Sequence, residues 1–327
     1  MSTPLFERNA RVAFIGDSIT HSSPLPTLVQ DYYLRHLPDL RVKTYNLGIG
    51  GDTAECALTR MEGDILRCRP TEAVVMLGTN DINFRIYRKI PTEAQAAEIE
   101  ERALCHLASM AELVKRLYER GIAVTLCSSL GRDELTPPAD TEADEALRSH
   151  GATKRLYKLF RENCRALAPM LKGTVDYITP FQALQAELLA VGGPSLFRPD
   201  RIHATPLGQW MMSRILLREQ GLPVALPTAE LLANGFKTPS YSPALAERFA
   251  VEQNLRNVRW VDPHQAAETE GLSLDERIAY WERAVAERRG LAVHDWAVPL
   301  YREYLKYVRD EAALEARLEA LTDALYD

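Results

Sequence analysis

Short apolar runs alternate with helical patterns over residues 8–220, and this alternation leaves the chain few possible folds. Each of five runs has the length of a buried β-strand and is followed by glycine, serine or threonine. The runs are 12–15, 42–47, 73–77, 122–127 and 174–178. The segments between them carry apolar residues at helical spacing. Strands that alternate with helices predict a parallel sheet with helices on both of its faces.

Two of the predicted helices have specific start signals. Thr92 and Gln95 have the spacing of a capping box, and the helix that follows ends near Gly121. Thr205 followed by Pro206 is typical of an N-cap and a first helical residue. These signals predict long helices after the third strand and at the end of the repeating pattern.

The chain changes character after residue 222. We therefore divide it into a domain at 1–222 and a mainly helical C-terminal extension at 223–327. The extension opens with a Pro-, Asn- and Gly-rich stretch that indicates a surface strap, and helices are predicted at 275–289 and 298–325. The extension could pack on the domain, form a homo-oligomer interface, or act as a lid that brings Trp260, Trp281 or Trp296 to a pocket.

Charge and cysteine content exclude several function classes. The formal net charge of −6 argues against nucleic-acid or anionic-membrane partners. The five cysteines form no Cys-x-x-Cys pair and have no histidines at ligand spacing, so we expect no metal site. The chain shows no basic and apolar leader and no apolar run of the ~20 residues that a membrane span needs, so we expect a cytoplasmic protein.

The first predicted strand ends in Gly16-Asp17-Ser18, at the sheet edge where ligands bind in α/β proteins. A serine on a sharp strand-to-helix turn can expose its Oγ, and its backbone N–H can donate to a developing oxyanion. Taken alone, the tripeptide is more typical of a helix N-cap. A catalytic interpretation therefore requires partners elsewhere in the chain.

Three further blocks could supply those partners. Gly51 lies in a Gly-rich turn after the second strand, where its amide could donate into a site or the glycines could simply form the turn. The turn lacks the spacing of a phosphate-binding loop. Asn80, after the third strand, could stabilise an oxyanion or be a turn residue. Asp200 lies three residues before His203, so its carboxylate could accept a hydrogen bond from the Nδ1–H of His203 and leave Nε2 of that ring as a general base.

Together and in this order, the blocks resemble those of the SGNH hydrolases, the GDSL-like lipase/acylhydrolase superfamily. They are Gly-Asp-Ser at 16–18, Gly-Asp-Thr at 51–53, Gly-Thr-Asn-Asp at 78–81 and Asp-x-x-His at 200–203. The resemblance implies a flavodoxin-like three-layer α/β/α fold with a five-stranded parallel sheet. The chain departs from the family name at Ile19, where leucine is expected, and the blocks do not describe the extension.

The resemblance also implies an esterase that needs no cofactor. Ser18 would be the nucleophile, His203 the base and Asp200 the carboxylate that orients the base. The backbone N–H groups of Ser18 and Gly51 and the side chain of Asn80 would form the oxyanion hole.

The substrate is predicted less directly than the chemistry. The residues within the blocks resemble those of carbohydrate acetylesterases. This resemblance implies that the substrate is a small-molecule or carbohydrate ester with an O-acetyl group. Two alternatives remain. One is a thioesterase or lysophospholipase, and the other is a non-catalytic carbohydrate-binding protein with the same fold. His21 follows Ser18 by three residues, and we expect it to be a structural or substrate-contacting residue and not a second base. Phe84 and Tyr87 follow the Asn80 block, so we expect them to line a short substrate pocket.

Overall fold

One parallel sheet organises the protein. The computed structural model describes residues 5–136, 151–238, 240–261, 269, 271–287, 303 and 305–326. The strands are β1 (Arg11–Gly16), β2 (Lys43–Gly48), β3 (Glu72–Met76), β4 (Ala123–Cys127) and β5 (Leu171–Val175). Their order is β2-β1-β3-β4-β5, and every adjacent pair is parallel. This is the flavodoxin-like order, which confirms the predicted fold class.

The fifth strand begins three residues earlier than the sequence pattern indicated. β5 is an edge strand, and its first residues are only partly buried, so they do not form an apolar run. The buried Tyr177 and Ile178, which extended the predicted strand, instead open the next helix. An edge strand is therefore harder to delimit by hydrophobicity than a central one.

Seven α-helices accompany the sheet among the residues that the structure describes up to position 222. They are α1 (Ser18–His21), α2 (Leu25–His36), α3 (Ala54–Thr59), α4 (Glu93–Glu119), α5 (Ala152–Ala166), α6 (Ile178–Ala190) and α7 (Pro206–Glu219). The predicted capping box is present, with Thr92 and Gln95 each bonded to the backbone of the other. Thr205 caps α7 by accepting a hydrogen bond from the amide of Gly208.

Alternate residues of β1 face two separate cores. Val12 and Phe14 join the core that contains residues of α2, α6 and α7. Ala13 and Ile15 join the core that contains residues of α3 and α4. Because side chains of a strand point to opposite faces in turn, the central strands of this sheet are apolar at nearly every position.

The C-terminal segment contributes four more helices among the described residues. They are α8 (Ala229–Ala233), α9 (Pro243–Val261), α10 (Leu274–Glu287) and α11 (Glu311–Asp323). The first prediction for this segment was wrong, because the stretch taken as a strap contains the 19-residue helix α9. This helix packs against β2 and α2, and α11 packs on α9. The buried face of α9 carries Arg248, Glu252 and Arg256, and these charged residues do not contribute to an apolar stripe in the sequence.

Two kinds of feature are lacking in the part of the chain that the structure describes. None of its helices combines the length and the apolar character that crossing a membrane requires. Its His, Cys, Asp and Glu side chains form no group of three or more that could hold a metal ion.

Candidate active site

A tight turn joins β1 to α1 and carries the first block. Asp17 caps α1, since its Oδ1 accepts a hydrogen bond from the amide of Ile19 at 2.8 Å. Ser18 is therefore the first helical residue, and its N–H has no acceptor within the helix. Gly16 is required by space, because a Cβ there would lie 2.1 Å from Thr20 Oγ1. The turn places Ser18 at the carboxyl edge of the sheet.

The loop before α7 brings a histidine to this serine. His203 Nε2 lies 2.7 Å from Ser18 Oγ, and His203 Nδ1 lies 2.8 Å from Asp200 Oδ2. The other carboxylate oxygen of Asp200 accepts hydrogen bonds from the amides of Ile202 and His203, both at 2.9 Å. The carboxylate is thus fixed in its own loop and can hold the Nδ1 proton, which leaves Nε2 to accept the proton of Ser18.

The two aspartates near Ser18 have opposite pKa shifts. Burial opposes a charge on Asp200, but the hydrogen bonds from His203 and from the loop amides outweigh it and hold the pKa of Asp200 well below its usual range. Burial dominates at Asp17 and raises its pKa to about 7, against the hydrogen bond from Ile19 and the attraction of His203. Asp200 is therefore the stronger electrostatic partner for a protonated His203.

The second and third blocks form adjoining turns. Gly51 has φ +89° in a turn closed by a hydrogen bond from Asp52 N to Ile49 O at 3.2 Å. Asn80 Nδ2 donates to Asp52 O at 2.8 Å, which ties the two turns together. Within the described residues, the Gly51 amide and the second Nδ2 hydrogen of Asn80 have no acceptor. Both groups are therefore available to a ligand.

A buried histidine supports the third block from behind. Asp81 Oδ1 accepts a hydrogen bond from the amide of Ala54 at 3.0 Å and lies 2.9 Å from His106 Nδ1. On its other side, His106 Nε2 lies 3.3 Å from Asn163 Nδ2. The sequence carried no signal for this contact, because the partners of His106 lie on other elements. Its role is to hold the loop that carries Asn80.

Of the two roles expected for His21, its contacts in the structure are those of a structural residue. His21 Nδ1 accepts a hydrogen bond from Gly50 N at 3.0 Å, and Nε2 donates to Asn257 Oδ1 at 2.9 Å. Both ring nitrogens are thus engaged inside the protein. Burial lowers the pKa of His21 to about 4, so the ring is neutral near pH 7.

Phe84 and Tyr87 also differ from the expectation that they contact substrate. Their exposed fractions are 5% and 6%, and both belong to a buried apolar cluster against which Ile202 packs. The Arg132 guanidinium lies over the Phe84 ring, 5.8 Å from its centroid. Burial raises the pKa of Tyr87 to about 12. These side chains support the Asn80 and His203 loops from inside.

A buried ion network connects the second block to α9. Asp52 Oδ2 lies 2.5 Å from Arg60 Nε, and Arg60 Nη1 lies 2.6 Å from Asp64 Oδ2. From α9, Arg256 and Arg259 approach Asp64 to 2.8 and 2.6 Å. Burial opposes the charge of Asp64, but its three arginine partners hold its pKa far below the usual range. At Asp52, burial outweighs Arg60 and raises the pKa to about 6.

Of the three tryptophans considered for a lid, one lies at the candidate site. Trp260 Nε1 donates a hydrogen bond to Gly50 O at 3.1 Å, beside the turn that contains Gly51. Trp281 is buried in a cluster of the C-terminal segment, and Trp260 packs against the same cluster. Trp296 lies outside the described residues.

Comparison with known proteins indicates the family of this chain. A model of the GDSL-like lipase/acylhydrolase family matches residues 14–211. An acetylxylan esterase of Geobacillus stearothermophilus is 24% identical over an alignment of 230 residues. The alignment covers 64% of this chain and 94% of that protein.

Solved structures extend the likeness in fold. The structure of a gut microbial diltiazem-metabolizing enzyme matches 100% of this chain and 96% of its own, with a TM-score of 0.76 and 18% identity. A GDSL-like protein from Parabacteroides merdae matches 66% of this chain and 98% of its own, with a TM-score of 0.51 and 18% identity. The first match includes the C-terminal helices, so they are part of a shared fold. Since the family model covers more than half of the sequence, the chain belongs to the GDSL-like lipase/acylhydrolase family.

Proposed function

We propose that this protein is a serine esterase that removes an O-acetyl group from a carbohydrate, with Ser18, His203 and Asp200 as its catalytic triad. The observation that carries the proposal is the continuous hydrogen-bonded path from Asp200 through His203 to Ser18, with steps of 2.8 and 2.7 Å. Family membership supports ester hydrolysis. The similarity to an acetylxylan esterase supports an acetylated sugar as the substrate.

The first half-reaction acylates the serine. Ser18 Oγ attacks the ester carbonyl carbon while its proton passes to His203 Nε2. The carbonyl oxygen becomes an oxyanion that accepts hydrogen bonds from the amides of Ser18 and Gly51 and from Asn80 Nδ2. When this intermediate collapses, the bond to the alcohol breaks, and the alcohol leaves with the proton from His203. Acetyl-Ser18 remains.

The second half-reaction regenerates the enzyme. A water molecule attacks the acetyl carbonyl and gives a proton to His203 Nε2, and the same donors stabilise the second oxyanion. The bond to Ser18 Oγ then breaks, and His203 returns the proton to that oxygen. Asp200 stays ionised throughout, because its low pKa keeps it a carboxylate that orients the ring and stabilises the imidazolium.

Labelling with a fluorophosphonate probe tests the nucleophile. The wild-type protein should be labelled and Ser18→Ala should not. Ser22→Ala is the matched control, because Ser22 is an exposed serine that follows the same short helix. Labelling that persists in Ser18→Ala, or a wild-type protein that is never labelled, would contradict the proposed mechanism. The second result would favour a non-catalytic carbohydrate-binding protein.

The substrate is tested with p-nitrophenyl esters of increasing chain length and with acetylated xylo-oligosaccharides. We expect kcat/KM to be highest for acetate and to fall with each longer acyl chain, and we expect acetate release from the oligosaccharides. A preference for long acyl esters would instead indicate a lysophospholipase or a thioesterase. Failure to deacetylate any oligosaccharide would refute the carbohydrate part of the proposal and leave the esterase part intact.

A further inference from the structure

One face of α9 directs three polar side chains to the first two blocks. Gln253, Asn257 and Trp260 are spaced by four and three residues, so they lie on one side of the helix. Gln253 Nε2 donates to His21 O at 2.9 Å, and Asn257 Oδ1 accepts from His21 Nε2 at 2.9 Å. Trp260 Nε1 donates to Gly50 O at 3.1 Å. The C-terminal segment thus holds both α1 and the turn of the second block.

The bond from Trp260 determines where the Gly51 amide points. The Gly50 carbonyl and the Gly51 N–H belong to the same peptide unit, and the described chain contains no cis peptide. In a trans peptide these two groups point in opposite directions. A donor on α9 that holds the carbonyl therefore directs the Gly51 N–H away from α9.

This peptide needs an anchor because its own sequence does not fix it. Gly50 and Gly51 are consecutive glycines, and Gly51 adopts φ +89° with no atom within 4 Å of the position of a Cβ. Glycine adopts positive and negative φ with similar ease, so the peptide between two glycines can rotate to an orientation with carbonyl and N–H exchanged. In that orientation a carbonyl oxygen would replace the N–H donor and repel an oxyanion.

The peptide that precedes Gly50 is held through a histidine of defined tautomer. Gly50 N–H donates to His21 Nδ1 at 3.0 Å, so that nitrogen must carry a lone pair. The ring proton is then on Nε2, where Asn257 Oδ1 accepts it. Loss of this acceptor would favour the other tautomer, in which an Nδ1 proton opposes the Gly50 N–H.

We propose that Trp260 is a positioning residue for the oxyanion hole, and that Asn257 assists it by fixing the tautomer of His21. The inference rests on the proposed esterase function, in which Gly51 N–H stabilises the oxyanion. It assigns a catalytic contribution to a helix that lies outside the four motif blocks. Trp260 acts on the reaction only through the orientation of the Gly50–Gly51 peptide.

Trp260→Phe tests the inference, because it keeps an aromatic ring and removes the N–H donor. With p-nitrophenyl acetate, we expect kcat to fall by about 5- to 100-fold, below the ~10²–10³-fold that loss of a whole oxyanion donor costs. KM should stay unchanged, because the ground-state ester makes little use of the hole. The inhibition constant of a trifluoromethyl ketone, whose serine adduct places an oxyanion in the hole, should rise by a similar factor. Trp210→Phe, on α7 and packed against Phe236, is the matched control and should keep wild-type kcat.

The outcomes separate this inference from the proposed function. If Ser18→Ala abolishes activity and folded Trp260→Phe keeps wild-type kcat and ketone affinity, the positioning role is wrong and the esterase stands. A rise in KM alone would also overturn the inference, because it would indicate a substrate contact. If Ser18→Ala remains active, the proposed function itself fails. Should Trp260→Phe not fold, Asn257→Ala decides the question, with the same fall in kcat at constant KM expected and an unchanged kcat overturning it.

Discussion

The titration of His21 should contribute a loss of stability in mild acid, because its ring is protonated less readily in the folded protein than in the unfolded chain. The ring is buried, and burial lowers its pKa from 6.5 to about 4 in the folded state. In the unfolded chain the pKa returns to its ordinary value, so below pH 6.5 the unfolded state binds a proton that the folded state does not. The contribution of His21 to stability is therefore complete at pH 7.5 and decreases as the pH falls towards 4. By pH 5 the loss amounts to about 2 kcal/mol.

The measurement compares wild type with His21→Asn, whose Oδ1 can still accept the Gly50 N–H but cannot titrate. Urea unfolding at pH 7.5 and at pH 5 gives four free energies of unfolding. Between pH 7.5 and pH 5, the free energy of unfolding of the wild type should fall by about 2 kcal/mol relative to that of the variant. Asp17 and Asp52 titrate in the same range with the opposite sign, since their pKa values are raised to about 7 and about 6. His21 is not among the groups that shift either of them, so their effects cancel in the comparison.

Equal pH dependence in the two proteins would refute this reasoning. It would mean that the ring is protonated as readily in the folded state as in the unfolded chain. Because a protonated ring cannot accept the Gly50 N–H, that result would also mean that this hydrogen bond does not favour the neutral ring, and the tautomer argument for Asn257 would fail as well. A larger decrease in the variant than in the wild type would contradict the sign of the shift.

Two further predictions concern the carboxylates. Asp200→Asn should lower kcat for p-nitrophenyl acetate by about 10²–10⁴-fold, because an amide neither stabilises the imidazolium nor enforces the tautomer of His203. A loss of less than about tenfold would contradict the proposed role of Asp200. Asp64→Asn should lower the free energy of unfolding by about 3–5 kcal/mol, because three buried arginines lose the charge that pairs them. Glu62→Gln breaks the exposed pair with Arg120 and should lower the free energy of unfolding by at most about 1 kcal/mol, also measured by urea titration. Equal losses of unfolding free energy in the two variants would refute the argument from burial.

The sequence predicted the sheet and the convergence of Ser18, Asp200 and His203 for the same physical reason. In a parallel α/β sheet the carboxyl ends of the strands meet at one edge, so blocks that follow β1, β2 and β3 must lie near one another. Asp200 and His203 were predictable as a pair because they lie within one turn of chain. The distance of 2.7 Å between His203 Nε2 and Ser18 Oγ is the consequence in the folded protein.

Side-chain directions after a motif were not predictable in the same way. Phe84 and Tyr87 follow the Asn80 block in an irregular segment, where no periodicity tells an inward from an outward residue. The structure buries both beneath the loop. The partners of His21 were not predictable for a different reason: Gly50 and Asn257 belong to a turn and a helix that local sequence does not relate to it.

The helix α9 was missed because it buries charged side chains beside its apolar ones. Arg248, Glu252 and Arg256 recur at four-residue spacing, a pattern that is typical of a solvated face, yet all three are at most 1% exposed. The usable signal was Ser242 before Pro243, an N-cap followed by proline at the first helical position. A polar face at helical spacing predicts burial only when the opposing charges are known, and Asp64 lies far from α9 in the sequence.

The orientation of the turn of the second block depends on tertiary contacts, one of which comes from this helix. Gly51 lies between two residues that are held by tertiary contacts. Trp260 donates a hydrogen bond to the carbonyl of Gly50. The side chain of Asp52 pairs with Arg60, and the carbonyl of Asp52 accepts a hydrogen bond from Asn80. A donor that is already oriented costs no reorganisation when charge develops on the substrate, and this is where the catalytic benefit of an oxyanion hole arises. Two glycines allow the turn and leave it free to rotate, so its orientation must come from tertiary contacts. For this reason the C-terminal segment should be treated as part of the active site's construction.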